Sequence, residues 1–288
     1  MSAKKLERDH IFRVVEFGVK FTTCLLEMGL LNTLRVFSYV FPISEIQREL
    51  RIKNKRFIFY PNLDKGPISH LYTRNFSIEG NVNVILDVGA NIGVETFRFR
   101  AMHKDAKVVS IEPSARNFSI LEKNFKEDGN VCIINGALWK NSGVLQLLKN
   151  ENQSHESWHL ASERESDFSD FELARTYSMI EVLELSGIGK GTIDILKIDI
   201  EGAEDVVFCE GDNSWLSQVR VIIMEMPDND NPGSFQRIME TFFSLNLQFN
   251  TYINGENIVL IRNDSDLKMK YVIGSRCIAN TGRIGFSI

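Results

Sequence analysis

The sequence predicts an α/β protein built on an open, doubly wound and mostly parallel sheet of seven strands, whose last two strands form an antiparallel hairpin, behind an N-terminal helical extension. Three observations predict it. From residue 82 onward, short apolar runs alternate with stretches of helical period. The first two runs, Val82 to Leu86 and Lys107 to Ile111, each end on an acid, Asp87 and Glu112, and enclose a glycine-bearing turn and a helical segment. Near the end, Asn254-Gly255 separates Gln248–Tyr252 from Ile258–Arg262, a strong short-range hairpin signal.

At 288 residues the chain has room for one α/β domain of ordinary size with an extension. We divide it into a helical extension (residues 1–56), the α/β domain (57–262) and a C-terminal tail (263–288). The net charge of −5 is mild and dispersed, which does not suit a duplex nucleic acid as partner. Cys24, Cys132, Cys209 and Cys277 form no C-x-x-C pair, so they read as reduced thiols of a cytoplasmic protein. No signal peptide is expected.

Residues 1 to 43 have helical pattern. Ile11, Val14, Gly18, Phe21, Leu25 and Met28 form one stripe, Gly29 offers a stop, Asn32 a cap, and Pro42 an end. Arg13, Glu16, Lys20, Glu27 and Arg35 interrupt every stretch long enough to span a bilayer, so no transmembrane segment is expected. The two helices should pack on the domain or on a second copy of the chain, the latter giving a homodimer. Arg48, Arg51, Lys53, Lys55 and Arg56 read as a solvated basic face. Phe57 to Tyr60 reads as a strand, in a segment expected to wall the entrance to the pocket.

The turn Asp87-Val88-Gly89-Ala90-Asn91-Ile92-Gly93 carries the first chemical signal. Gly89 and Gly93 allow a sharp bend and close approach of backbone to a ligand, and the following helix presents free N–H groups. The dinucleotide pattern G-x-G-x-x-G fails, because Asn91 and Val94 stand where glycine is needed. Asp87 would repel a pyrophosphate there, but attract an ammonium group. Glu112 follows 25 residues later, about the spacing at which a second-strand acid accepts hydrogen bonds from ribose hydroxyls. A nucleoside carrying an amino acid in place of phosphates satisfies both acids, and S-adenosylmethionine is such a ligand. Ala90, Asn91, Pro113 and Ser114 complete the expected cofactor shell.

Pro113 and Ser114 start a helix with Phe118, Leu121 and Phe125 inward. Val131 to Ile134 is a third strand, and Asn135, Gly136 and Ala137 at its tip leave room for an adenine. Val144 to Leu148 reads as an added strand. Residues 150 to 176, polar and without clear period, read as a flexible excursion or a lid. Within them His155 and His159 are surface histidines or, in the functional reading, one is a general base. The fourth strand, Ile193 to Ile198, leads into Asp199, Glu201 and Glu204. Asp199 and Glu201 should face the crevice together, while Glu204 opens the next helix. Val219 to Met224 is the fifth strand, ending on Glu225, and Phe235, Ile238 and Phe242 mark the inner face of the last helix.

These motifs carry a resemblance. Asp87-Val88-Gly89-Ala90-Asn91-Ile92-Gly93, Ile111-Glu112-Pro113 and above all Leu196-Lys197-Ile198-Asp199-Ile200-Glu201-Gly202-Ala203-Glu204 resemble the FkbM family of S-adenosylmethionine-dependent methyltransferases over about residues 57 to 262. Glu184 and Glu225-Met226-Pro227 depart from the common pattern. The resemblance implies a class I, Rossmann-like methyltransferase fold and O-methylation of a sugar, glycan or secondary metabolite. Asp199 and Glu201 are the expected catalytic acids. A metal-free site is favoured over one in which both acids hold Mg²⁺. The rival readings are a methyltransferase acting on nucleic acid or protein, and a non-catalytic nucleoside-binding subunit.

Overall fold

The computed structural model describes residues 48–52, 55–59, 76–149, 158–160, 171–200, 202–227, 231–254 and 257–271. The two helices expected within residues 1–43 lie outside these, as do His155, Glu201 and Gly255.

The chain enters as strand β1 (Arg48–Ile52), antiparallel to β2 (Lys55–Phe59). Residues 48–52 and 55–56 of the expected extension, beyond its helical stretch, are strand, and β2 is anchored by its aromatic run. Phe57, Ile58 and Phe59 are buried, and the Phe57 ring meets Phe97 and Phe125 edge-on at 5.5 and 6.4 Å. Asn124 then satisfies the outer edge of β2, its Oδ1 accepting from the Ile58 N–H at 2.6 Å and its Nδ2 donating to the Ile58 carbonyl at 3.1 Å.

Next come β3 (Phe76–Glu79), β4 (Val84–Val88), helix α1 (Val94–Met102), β5 (Lys107–Glu112), α2 (Ala115–Phe125) and β6 (Val131–Asn135). A small excursion follows, made of β7 (Ala137–Leu138), β8 (Gly143–Lys149), β9 (Trp158–Leu160) and β10 (Phe171–Tyr177). The chain then resumes with α3 (Met179–Leu185), β11 (Ile193–Ile198), α4 (Glu204–Cys209), a 3₁₀ turn (Ser214–Gln218), β12 (Val219–Glu225), α5 (Ser234–Ser244), β13 (Phe249–Asn254), β14 (Asn257–Arg262) and β15 (Lys268–Tyr271). A capping box between Ser178 and Glu181 sets the start of α3.

The central sheet has seven strands in the order β13-β14-β12-β11-β4-β5-β6. The five from β12 to β6 are parallel, and β14 runs antiparallel to both β12 and β13. Both faces of the inner strands are covered, which is why β4, β5, β11 and β12 are mostly apolar without alternation, while the edge strand β13 is largely exposed. Leu86, Val109, Leu196, Ile222 and Leu260 face one core with Phe208, Trp215 and Phe242. Ile85, Val108, Ile195, Val221 and Val259 face the other with Phe76, Phe99 and Leu267. Strand order reverses beside β4, so a crevice opens at the carboxyl ends of β4 and β11.

Two segments are more regular than the sequence suggests. Of the stretch 150–176, residues 158–160 and 171–176 are strand, in a sheet of order β7-β10-β8-β9, so this part is not an unstructured excursion. The apolar positions that would reveal a buried strand are inverted there. Phe171 and Leu173 are exposed, while Ala174 and Thr176 are buried. The tail begins as β15, which pairs antiparallel with β3 and sets Lys268 opposite Glu79. Cys132 and Cys209 are free and half-buried. Among the described residues no helix is long and apolar enough to cross a membrane.

Candidate functional site

The site is built from the carboxyl ends of four strands and the turns they enter. After β4, the N–H groups of Gly89 and Ala90 both donate to the Ile111 carbonyl, at 3.1 and 2.9 Å, which ties the turn to β5. Asn91 takes a left-handed conformation, φ 50°, and donates its N–H to Glu112 Oε2 at 2.8 Å. Ser114 donates its N–H to Glu112 Oε1 at 3.0 Å. Each oxygen of Glu112 thus holds one backbone donor, and the Asn117 side chain adds a third hydrogen bond to the carboxylate. Burial pushes the Glu112 carboxyl up to about 7, against the lowering effect of the Ser114 and Asn91 N–H groups, the Asn117 side chain and the Lys197 charge.

The two glycines of the turn answer to the protein's own atoms. A Cβ at Gly89, φ 72°, would collide with the Asp199 carbonyl oxygen, so the turn lies flat against the tip of β11. A Cβ at Gly93, φ 92°, would collide with the Phe125 ring and come within 2.7 Å of Leu121. Close approach is needed at both positions, and at Gly93 the neighbour is α2.

Asp87 is fully buried, with Oδ2 accepting from the Thr96 hydroxyl at 2.6 Å; Thr96 and Ser110 are in turn 2.8 Å apart. Its Oδ1 lies 3.6 Å from Lys197 Nζ. The same ammonium is 3.3 Å from Asp199 Oδ2 and donates to the Gly89 carbonyl at 3.0 Å. Asp199 is the outer member of this group, its side chain 21% exposed against 0% for Asp87. Glu204 is turned inward, and its Oε1 accepts from the Ile200 N–H at 3.0 Å, closing the turn that carries Asp199.

Asn135 is exposed, opposite Glu112 in the β5–β6 register, and Gly136 donates its N–H to the Glu112 carbonyl at 3.1 Å. Ala137 is buried in β7 and Pro113 half-buried. Ser114 is buried at the start of α2, and its hydroxyl has no hydrogen-bond partner among the described residues. Asp87, Gly89, Ala90, Asn91, Glu112, Pro113, Ser114, Asn135 and Asp199 all lie at adjacent strand tips or in their turns.

Four contributors escape the sequence reading. Lys197 is a charge inside a strand whose every residue is buried, and that misfit was its available signal. Thr96 and Ser110, which hold Asp87, carry none. Glu172 of β10 accepts the Ala115 N–H at 2.7 Å, which anchors the small sheet to the first turn of α2, and only the fold brings these residues together.

A seven-stranded sheet in this order, with its antiparallel strand inserted beside β12 and acids at the tips of β4 and β5, defines a class I, Rossmann-like methyltransferase. More particularly, residues 87–251 match the methyltransferase FkbM domain, over half of the chain, and the protein belongs to that family. It is a methyltransferase with S-adenosylmethionine as cofactor. No curated protein matches significantly. Among solved structures the chain is similar to Aeropyrum pernix fibrillarin in complex with natively bound S-adenosyl-L-methionine (9% identity, 78% of this chain and 86% of that one, TM-score 0.38). It is also similar to a putative O-methyltransferase from Klebsiella pneumoniae (13% identity, 64% and 74%, TM-score 0.38) and to precorrin-6y C5,15-methyltransferase from Geobacter metallireducens (9%, 64% and 80%, TM-score 0.36).

The residues present fit this cofactor. Glu112 is a buried carboxylate at the tip of β5, the Ser114 hydroxyl is a buried polar group without a partner among the described residues, and Asp199 sets a partly exposed carboxylate at the tip of β11 where a cation would sit.

Proposed function

We propose that the protein is an O-methyltransferase acting on a hydroxyl of a sugar, glycan or secondary metabolite. The observation that carries this reading is the pair of carboxylates at the crevice, Glu112 and Asp199, set on a chain of the FkbM family. Glu112 would hold the ribose, with Asn91 and Ser114 fixing its carboxylate. Asp87, Gly89, Ala90 and Gly93 shape the turn that borders the amino-acid end. Pro113, Ser114, Asn135 and Ala137 border the adenine.

The bound cofactor supplies an electrophilic methyl group, and the chain's task is to bind, orient and accept a proton. Asp199 Oδ2 lies 3.3 Å from the Lys197 ammonium, in surroundings that already hold a cation, and it is assigned to the cofactor's cationic end. Glu201, two residues further along and outside the described residues, is then the proposed proton acceptor from the attacking hydroxyl.

The test is turnover against a panel of hydroxylated glycosides and polyketide-type acceptors beside RNA and protein. S-adenosylhomocysteine should form with hydroxyl acceptors. Turnover confined to RNA or protein would overturn the acceptor class. Tight cofactor binding without turnover on any acceptor would make the chain a nucleoside-binding subunit.

A further inference from the structure

Lys197 stands opposite Asp87 in the β11–β4 register and two residues before Asp199, so the three side chains leave the sheet on one face. Burying an ammonium inside a fully buried strand is costly, and neutralising Asp87 is one reason to do so. The geometry serves a second purpose. Lys197 Nζ lies closer to the Gly89 carbonyl, at 3.0 Å, and to Asp199 Oδ2, at 3.3 Å, than to Asp87 Oδ1, at 3.6 Å. It also reaches the Val88 carbonyl at 3.5 Å. Its shorter contacts are thus with the turn and with the acid at the crevice.

We propose that Lys197 is a positioning residue for the amino-acid end of the cofactor, an inference that rests on the S-adenosylmethionine site described above. Its bond to the Gly89 carbonyl holds the turn against the tip of β11. Its pairing with Asp199 fixes that carboxylate where it receives the cofactor's α-ammonium group. Asp87 is then the buried counter-charge that keeps Lys197 in place, with Thr96 orienting it. Asp199 is the member of the trio that meets the ligand, as its exposure requires.

Lys197→Met alone would strand the Asp87 charge in the core and threaten folding. The informative variant is therefore the double Asp87→Asn/Lys197→Met, which removes the buried pair and leaves Asp199 intact. Calorimetry on the full chain uses S-adenosylmethionine and S-adenosylhomocysteine, both of which carry the α-ammonium. The double variant should bind each about tenfold or more weakly, as should Asp199→Asn, which leaves the buried pair in place. The triple variant should bind no more weakly than the double, because Lys197 acts through Asp199. With saturating cofactor, kcat of the double variant should fall much less than its KM for cofactor rises. Wild-type affinity in either the double variant or Asp199→Asn would overturn the proposal, as would losses that simply add in the triple. Failure of the wild-type chain to bind either nucleoside would instead overturn the cofactor reading on which the proposal rests.

Discussion

The backbone N–H of Asn91 is 2.8 Å from Glu112 Oε2, so the turn after the first parallel strand is fixed by the acid at the tip of the second. One carboxylate therefore shapes the turn and, in the proposed function, also holds the ribose. Glu112→Ala removes both functions. Cofactor affinity should fall by about 1.5 to 3 kcal/mol, the range for hydrogen bonds to a charged group. Titration calorimetry with S-adenosylhomocysteine checks this, and unchanged affinity would refute the ribose assignment.

Cofactor binding should depend on pH near neutrality. Burial raises the Glu112 carboxyl from 4.5 to about 7, and only the charged form accepts from both ribose hydroxyls while keeping its backbone donors. Affinity should rise as pH increases through about 7 and level off above it. The stability effect has the opposite sign. The folded chain holds a proton that the unfolded chain has released between 4.5 and about 7, so the contribution to stability is full below 4.5 and is lost as pH rises towards 7. Glu112→Gln should flatten both profiles, and an identical pH dependence in that variant would assign the titration elsewhere.

Gly93→Ala places a methyl group against Phe125 and Leu121 at a positive φ. Overpacking of this kind costs about 1 to 3 kcal/mol, read as a lower denaturant midpoint at unchanged slope. A midpoint equal to that of the wild type would mean that α2 yields freely.

Glu172→Ala leaves the Ala115 N–H without its acceptor at the start of α2. Loss of such a cap costs about 0.5 to 2 kcal/mol. The α2 start lies directly after Glu112, so hydrogen exchange at Ala115 and Arg116 should quicken in the variant. Unaltered exchange would show that the small sheet does not support this corner of the site.

Much of this arrangement was legible in the chain. Asp87 and Glu112 end apolar runs, and a strand that stops on an acid at a glycine turn leaves few other readings. Asn254 falls opposite Asn257 in the β13–β14 pair, where the sequence puts a tight turn. What was illegible depends on contacts between distant residues. Lys197 could be seen as a charge in a buried strand, but its partners Gly89 and Asp87 are set by the β4–β11 register. Strand β10 hides because it exposes Phe171 and Leu173 and buries Thr176, whose hydroxyl donates to the Asn141 carbonyl at 3.0 Å. Residues 48–52 looked basic and solvated, and they are strand because they pair antiparallel with β2, whose Phe57 and Phe59 are buried.

The most direct measurement is mass spectrometry of the product formed from methyl-deuterated S-adenosylmethionine and a hydroxylated acceptor, in the presence of EDTA. The label should appear on an acceptor oxygen, with one equivalent of S-adenosylhomocysteine released and the rate unaffected by the chelator. Label on nitrogen or carbon, or turnover lost in EDTA and restored by Mg²⁺ or Mn²⁺, would contradict a metal-free O-methyltransferase.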